Sequence, residues 1–403
     1  MNASGHLRRR AVVAVGVASA AALMTIGGGA VATGAPRHQL RSGVTHRSAV
    51  PLRSAKAGRA TAGDFNGVAA VPHSSDLWAI GGTPTKYVGV TRPFAARRHN
   101  GRWQRFSGLN VGAADAGGGL STVAVGSKSA VWVGGDVQYK KTIQDLPAVW
   151  RLKGKRFVRA KLPNMENGVA SITSISASSA RNAWAVGGAY VLPAGTLAAF
   201  HWNGKTWSTV PMPEPSFDQT PVSVSTSSTT NAWATDGSNL FHWNGKLWTT
   251  DGTAAAGVQL SSVATSGPKL AYAVGFLSKS TGGYSTVIMR FNGTSWTTLK
   301  LAKGTAGDSL RQVSIVGKSA WAVGTYNNVK ADTSSPAMLH TTGGQWKSQK
   351  TEGAKYILSS VSAASAKRAY AVGTYLHGTT YRVAYTFLDV YNGHSWKSAP
   401  SKL

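Results

Sequence analysis

Residues 171–207 read SITSISASSARNAWAVGGAYVLPAGTLAAFHWNGKTW, and four signals succeed one another within them. Ser171-Ile172-Thr173-Ser174-Ile175-Ser176 alternates apolar and small polar side chains, the period of a strand with two unlike faces. Trp184-Ala185-Val186-Gly187 is a short apolar run that ends in glycine. Phe200-His201-Trp202 leads into Asn203-Gly204, and Trp207 starts the return. Asn-Gly between two apolar runs is a strong hairpin signal, with φ > 0 expected at both turn residues. The stretch thus reads as four antiparallel strands, A to D, with C and D joined by a tight turn.

The same wording returns along the chain. The strand B phrase recurs as Trp78-Ala79-Ile80-Gly81, Trp132-Val133-Gly134, Tyr272-Ala273-Val274-Gly275, Trp321-Ala322-Val323-Gly324 and Tyr370-Ala371-Val372-Gly373, with Trp233-Ala234-Thr235 as a decayed copy. Its leading aromatics are 54, 52, 49, 39, 49 and 49 residues apart. Each copy is followed by a turn and an aromatic, from Asn100-Gly101-Arg102-Trp103 through Asn244-Gly245-Lys246-Leu247-Trp248 to Asn392-Gly393-His394-Ser395-Trp396. Four strands in a repeat of about 40–50 residues is the signature of a propeller blade. Seven copies predict an all-β, seven-bladed β-propeller with four antiparallel strands per blade. A blade is apolar on both faces and must stack on its neighbours, so the aromatics of strands B and D are expected between blades, and the glycine ending strand B is expected to permit a close backbone approach. Ring closure has two readings. Either the first and last blades meet by side-chain packing alone, or Ala49–Leu52 adds a strand to the last blade.

The 403 residues hold 43 Lys and Arg against 14 Asp and Glu, a formal charge of +29, with no cysteine. The missing cysteine excludes a disulfide-stapled miniprotein, a zinc finger, a thiol nucleophile and an iron–sulfur site. The amino terminus carries Arg8-Arg9-Arg10, then an uncharged run from Ala11 to Val31 with small residues at Ala30-Val31-Ala32. That order predicts a signal peptide over 1–32, cleaved after Ala32. The run is also about long enough to span a bilayer as an uncleaved anchor, but its Gly and Ala content makes it weakly hydrophobic and favours cleavage. Residues 33–60 hold Arg37, Arg41, Arg47, Arg53, Lys56 and Arg59 and no acid, which reads as a basic, disordered tether ahead of a propeller over 61–403. The mature protein is expected outside the cytoplasm, secreted or held at the cell wall, with no membrane span and as a monomer.

Gly81-Gly82, Gly134-Gly135 and Gly187-Gly188, with the aromatic pairs Phe200/Trp207 and Phe241/Trp248, give the chain a family resemblance over roughly residues 64–398. It resembles kelch-type and galactose-oxidase-like propellers, and looks most like secreted repeat propellers of actinobacteria. The resemblance implies the fold and not an activity. The copper cofactor of galactose oxidase needs a Tyr–Cys cross-link, which a chain without cysteine cannot form. No cofactor is expected, and neither a calcium-loop nor a P-loop signature is present.

No catalytic constellation is visible. A propeller glycoside hydrolase or polysaccharide lyase, the alternative reading, needs converging carboxylates. The candidates are Asp136 and Asp236 after strand B and Asp308 between blades; turn geometry explains them more simply. His99, His201, His242 and His340 read as one repeated strand C position spread round the ring, and so as structural rather than metal-binding.

Two surfaces remain for binding. Six of the seven expected B–C connections carry a tyrosine, Tyr87, Tyr139, Tyr190, Tyr284, Tyr326 and Tyr375, suited to stacking on a sugar ring or capping a peptide. The second surface is basic. Residues 86–161 hold 15 Lys and Arg against three Asp, whereas 162–403 hold 19 against nine acids. Arg97, Arg98, Arg102 and Arg105 flank one C–D hairpin, and Arg151, Lys153, Lys155, Arg156, Arg159 and Lys161 flank the next. These groups are expected to attract an anionic envelope polymer, without sequence-specific nucleic-acid recognition. The whole reads as a non-enzymatic binding module at a bacterial cell surface that contacts a glycan or a surface protein.

Overall fold

The computed structural model describes residues 62–84, 91–109, 118–138, 145–163, 171–188, 198–213, 222–280, 283–302, 309–328, 333–350, 356–377 and 383–403. The chain divides into two units, 1–52 and 53–403, and every described residue belongs to the second. The expected signal peptide and tether, with Ala49–Leu52, therefore lie outside the described residues. The 28 strands form seven four-stranded antiparallel sheets, each in sequence order A-B-C-D. The blades span residues 64–106, 120–159, 171–211, 223–253, 258–298, 309–348 and 356–398, in register with the seven repeats. No helix occurs among the described residues.

The aromatics fall where the repeat wording places them. One apolar cluster fills each junction between neighbouring blades. Trp184 of blade 3 lies 4.9 Å from Trp243 and 5.0 Å from Trp248 of blade 4. Trp233 repeats the arrangement against Phe291 and Trp296 of blade 5, at 4.7 and 4.9 Å. Strand B of one blade thus presents its indole to strands C and D of the next, and the core is a chain of junctions rather than one interior.

The glycine that ends strand B has a specific partner. At six blades the register of strand A slips by one residue where it passes the end of strand B, a β-bulge. The bulge pushes a strand A carbonyl against the glycine: a Cβ on Gly81, Gly135, Gly275 or Gly324 would sit 1.9 Å from that oxygen. Blade 4 has Asp236 at the position of this glycine, and its strand A pairs with strand B without a slip there.

The alternating serines of strand A are inter-blade ligands. Val224 N–H donates to Ser174 Oγ at 3.1 Å, Val263 N–H to Ser223 Oγ at 3.1 Å, Val361 N–H to Gln312 Oε1 at 2.7 Å and Val68 N–H to Ser360 Oγ at 3.0 Å. Six of the seven junctions carry such a bond, Thr122 and Ser262 serving the others. Strand A is therefore the innermost strand, and small hydroxyls occupy it because each must satisfy a buried amide of the neighbouring blade.

Closure is more than side-chain packing. Ala62, just ahead of blade 1, forms an antiparallel bridge with Tyr385 of blade 7. The carboxyl-terminal residues fasten the same junction: Trp103 Nε1 donates to Pro400 O at 3.0 Å, and Ser401 Oγ donates to Thr386 O at 2.6 Å. The hairpins also differ in detail. Asn100 and Gly101 both have positive φ, at 48° and 79°, as expected. In Asn203-Gly204 and its copies at 244, 292 and 392 only the glycine does. There the asparagine side chain accepts from the amides two and three residues on, as Asn203 Oδ1 does from Lys205 and Thr206, so these turns are four residues long.

Candidate functional site

The antiparallel order puts the B–C connections and the starts of strand A at one end of the ring, and the A–B and C–D turns at the other. At the first end the three described tyrosines of the set are strand residues. Tyr326 and Tyr375 lie within strand B, which runs on past its glycine, and Tyr284 opens strand C of blade 5. The sequence reading places them in loops because it ends strand B at the glycine, which misses Tyr326 and Tyr375, and starts strand C later than Tyr284. Tyr284 packs edge-on to Phe276 at 4.9 Å, and the Tyr326 hydroxyl lies 3.2 Å from Ser348 Oγ. Tyr87, Tyr139 and Tyr190 fall outside the described residues.

Blade 7 gathers the aromatics into a row. Tyr356 in strand A pairs across to Tyr375 in strand B, and Tyr375 pairs to Tyr385 in strand C, so the three share one face. Phe387 lies opposite Gly373, and Tyr356 folds over that gap to stack on its ring at 4.1 Å. Tyr356 is 3% exposed, whereas Tyr375, Tyr385 and Phe387 are half-buried. The sequence reading named Tyr375 alone of this row, because its partners come from other strands.

Strand A of the neighbouring blade 6 carries Arg311. It is the extra residue in the strand A bulge of blade 6, a position held elsewhere by Asn66, Ser121, Thr173, Ser261 and Ser359. Its neighbour Gln312 bonds Val361 of blade 7, which sets Arg311 at the junction that carries the tyrosines. The side chain reaches solvent, yet lost hydration pulls its guanidinium below the ordinary range. An exposed guanidinium at the junction that carries an aromatic row can bind a carboxylate or sulfate while the rings take an apolar face.

Among the described residues, Asp136 and Asp236 are held by separate partners. Asp236 accepts from Ser238 N at 2.9 Å, Asn239 N at 2.6 Å and Asn239 Nδ2 at 3.0 Å, the bonds of a turn-forming aspartate. Asp136 accepts from Gly119 N and Ser171 Oγ, both at 3.3 Å, and so ties blade 2 to blade 3. Asp308 lies outside the described residues.

Three histidines stack on the strand B indole of their own blade, His201 on Trp184, His242 on Trp233 and His340 on Trp321, at 4.4, 4.4 and 4.6 Å. His99 is not their equivalent. It lies two residues further on, near the turn, where Asp76 Oδ1 is 2.9 Å from its Nδ1; Arg97 holds the repeated position opposite Trp78. Burial lowers the pKa of His201, His242 and His340, Asp251 only partly opposing it at His242. They fold neutral, so below an ordinary imidazole pKa of about 6.5 the unfolded chain binds more protons. Stability is therefore level above about pH 6.5 and falls as pH drops below it. Denaturation midpoints measured against pH check this, and His340→Gln should flatten the slope; burial of Asp64, which raises its pKa, acts in the opposite sense at carboxylate pH.

The ten basic residues divide among different jobs. Arg97 pairs with Asp76 at 2.5 Å, Arg151 lies over Trp132 and Trp202 at 5.6 and 4.9 Å, Arg105 lies over Phe94 at 4.9 Å, and Arg98 is half-buried at the junction with blade 7. Arg97 is thus engaged within blade 1, and Arg98 and Arg151 at junctions with neighbouring blades. Arg102, Arg105, Lys153, Lys155, Arg156, Arg159 and Lys161 are exposed. A parallel bridge from Ser107 to Arg156 joins the outer edges of blades 1 and 2.

No protein-family model matches the chain, and no curated protein does. Among solved structures it is similar to YCF48 bound to a D1 peptide, with 12% identity and a TM-score of 0.50 over 81% of this chain and 92% of the other. It is similar to YCF48 from Cyanidioschyzon merolae at 14% identity and TM-score 0.51, over 81% and 95%. It is also similar to a GH74 xyloglucanase from Xanthomonas campestris, at 13% identity and TM-score 0.55, over 85% of this chain but 55% of the enzyme. These likenesses show the propeller fold.

Proposed function

We propose that the protein is an extracellular, non-enzymatic binding module of a bacterial cell surface, a kelch-like propeller whose ligand is seated at the blade 6–7 junction. The observation that carries this is the row Tyr356–Tyr375–Tyr385 with Phe387, at the junction across which strand A of blade 6 holds the exposed Arg311. Rings with polar tips and a guanidinium at one junction suit an acidic glycan or a peptide carboxylate. A peptide ligand has a precedent in the propeller of YCF48, solved with a D1 peptide. Asp136, tied to Ser171 of the next blade, and Asp236, engaged in its own turn, support binding over hydrolysis. The exposed bases of the blade 1 and 2 hairpins would retain the protein on anionic envelope polymers.

The test is binding of the purified protein to a panel of neutral and uronic-acid oligosaccharides and of peptides with free carboxyl termini. Tyr385→Ala and Arg311→Gln should each weaken the positive probes at least about tenfold. Affinity unchanged in both variants would overturn the site. Cleavage of a polysaccharide, lost on Asp136→Asn, would overturn the non-enzymatic reading.

A further inference from the structure

The end of the ring opposite the tyrosines is built from fourteen turns, all of them described. The A–B turns are residues 71–76, 128–129, 180–181, 229–230, 268–269, 317–318 and 366–367, and they lie nearest the axis because strand A is innermost. Five of the seven hold one base each: Lys128, Arg181, Lys269, Lys318 and Lys367, all exposed. The C–D hairpins add Lys155, Lys205 and Lys246, exposed as well. In four blades the outer turn rests on the inner base: a Cβ on Gly204 would lie 3.1 Å from Arg181, and one on Gly293, Gly343 or Gly393 within 3.4 Å of Lys269, Lys318 or Lys367. Inner and outer turns of those blades thus meet in one surface.

Negative charge is nearly missing from it. The one acid in the fourteen turns is Asp76, which is 3% exposed and already held by Arg97 and His99. Those two partners keep its carboxyl ionised and below its ordinary range, so its charge is spent inside the fold. Six other acids fall, by sequence position, between one blade and the next.

We propose that this turn face docks flat on an anionic lipid bilayer, with phosphate headgroups meeting the bases of blades 2 to 7. Bases spread over six of the seven blades are matched by a plane, which meets all of them at once, whereas a single polymer strand follows a line through them. Seven of the eight turn bases are lysines, compact charges that ask for no bidentate geometry and suit a fluid array of headgroups. Leu247, 52% exposed beside Lys246 at the blade 4 hairpin, supplies an apolar tip for the headgroup boundary. Docking in this way turns the B–C ends, with Tyr375 and Tyr385, away from the membrane. The proposal deepens the anion-retaining part of the reading above, moves it from the rim of two blades to the whole face, and does not depend on the ligand at the tyrosines.

Flotation of the full-length protein with vesicles tests it. Binding is expected to mixed phosphatidylglycerol–phosphatidylcholine vesicles, not to pure phosphatidylcholine, and to fall steeply with salt. The quintuple variant K128E, R181E, K269E, K318E and K367E should partition at least about a hundredfold less, and the matching glutamine variant less than wild type but more than the glutamate one, with unchanged melting profiles. Undiminished binding by the glutamate variant overturns the proposal, as does loss only on K153E, K155E and R156E together. Polyphosphate binding that vesicles fail to compete away would assign the face to a polymer and also overturn it. Tyr385→Ala serves as the separating control: retained vesicle binding with lost ligand binding keeps the two faces independent, and loss of both on that single change overturns the separation.

Discussion

Trp184→Ala should lower the unfolding free energy by about 3–5 kcal/mol, read as a large fall in melting temperature and denaturant midpoint. The indole is 0% exposed and sits between two blades. On its own blade His201 stacks on it at 4.4 Å; across the junction Trp243 and Trp248 close at 4.9 and 5.0 Å. Truncation leaves a cavity with two strand B–strand C frames on either side, and backbone ladders keep those frames from collapsing into it. Because each blade is held by its two neighbours, a loosened junction weakens both blades that share it. Leu247→Ala, at an exposed hairpin tip, is the contrasting change and should leave the melting profile in place. A Trp184→Ala profile equal to wild type would mean that the blades do not depend on their inter-blade indoles.

Gly324→Val should cost about 3 kcal/mol or more, through backbone rather than cavity. A Cβ there would lie 1.9 Å from Ser309 O and 2.7 Å from Leu310 Cα, both backbone atoms of the bulged strand A. Relief requires straightening the bulge, which would slip the register of the innermost strand and break the bond from Val361 N to Gln312 Oε1. Gly344→Ala is the matched control, since a Cβ there meets nothing within 4 Å. Equal stability of the two variants would show that strand A can be redrawn without loss.

Much of this architecture was legible in local wording. The aromatic of each strand B announces a junction because a residue that large has to be buried, and 40–50 residues of alternation with turn signals can close only as a blade. The turns were read less well. Asn203-Gly204 and Asn100-Gly101 share a dipeptide but not a conformation, since the length of the return decides whether asparagine takes positive φ or caps with its side chain. His99 and His201 look alike in sequence, yet two residues of offset move one from an indole to Asp76.

The sites were harder to read for a related reason. Tyr356, Tyr375 and Tyr385 become one row only through cross-strand register, and Arg311 stands out only once its bulge is matched with the serines and threonine of other blades. A charge window along the chain sees the Arg and Lys crowded into residues 86–161 and passes over Lys269, Lys318 and Lys367, which stand 49 residues apart.

By itself, then, the sequence determined the elements that rest on neighbours in the chain: strands from alternation, turns from Asn-Gly, seven blades from repetition, and burial of the large aromatics. The tertiary structure alone decided what depends on residues a full blade apart: the hydroxyl-to-amide bonds between inner strands, the bridge from Ala62 to Tyr385 that helps close the ring, the tyrosine row, and the cationic turn face. The reason is physical. Strand and turn preferences act over a few residues, whereas the composition of a face is set by stacking, which makes neighbours of side chains that the chain separates by about 50 positions.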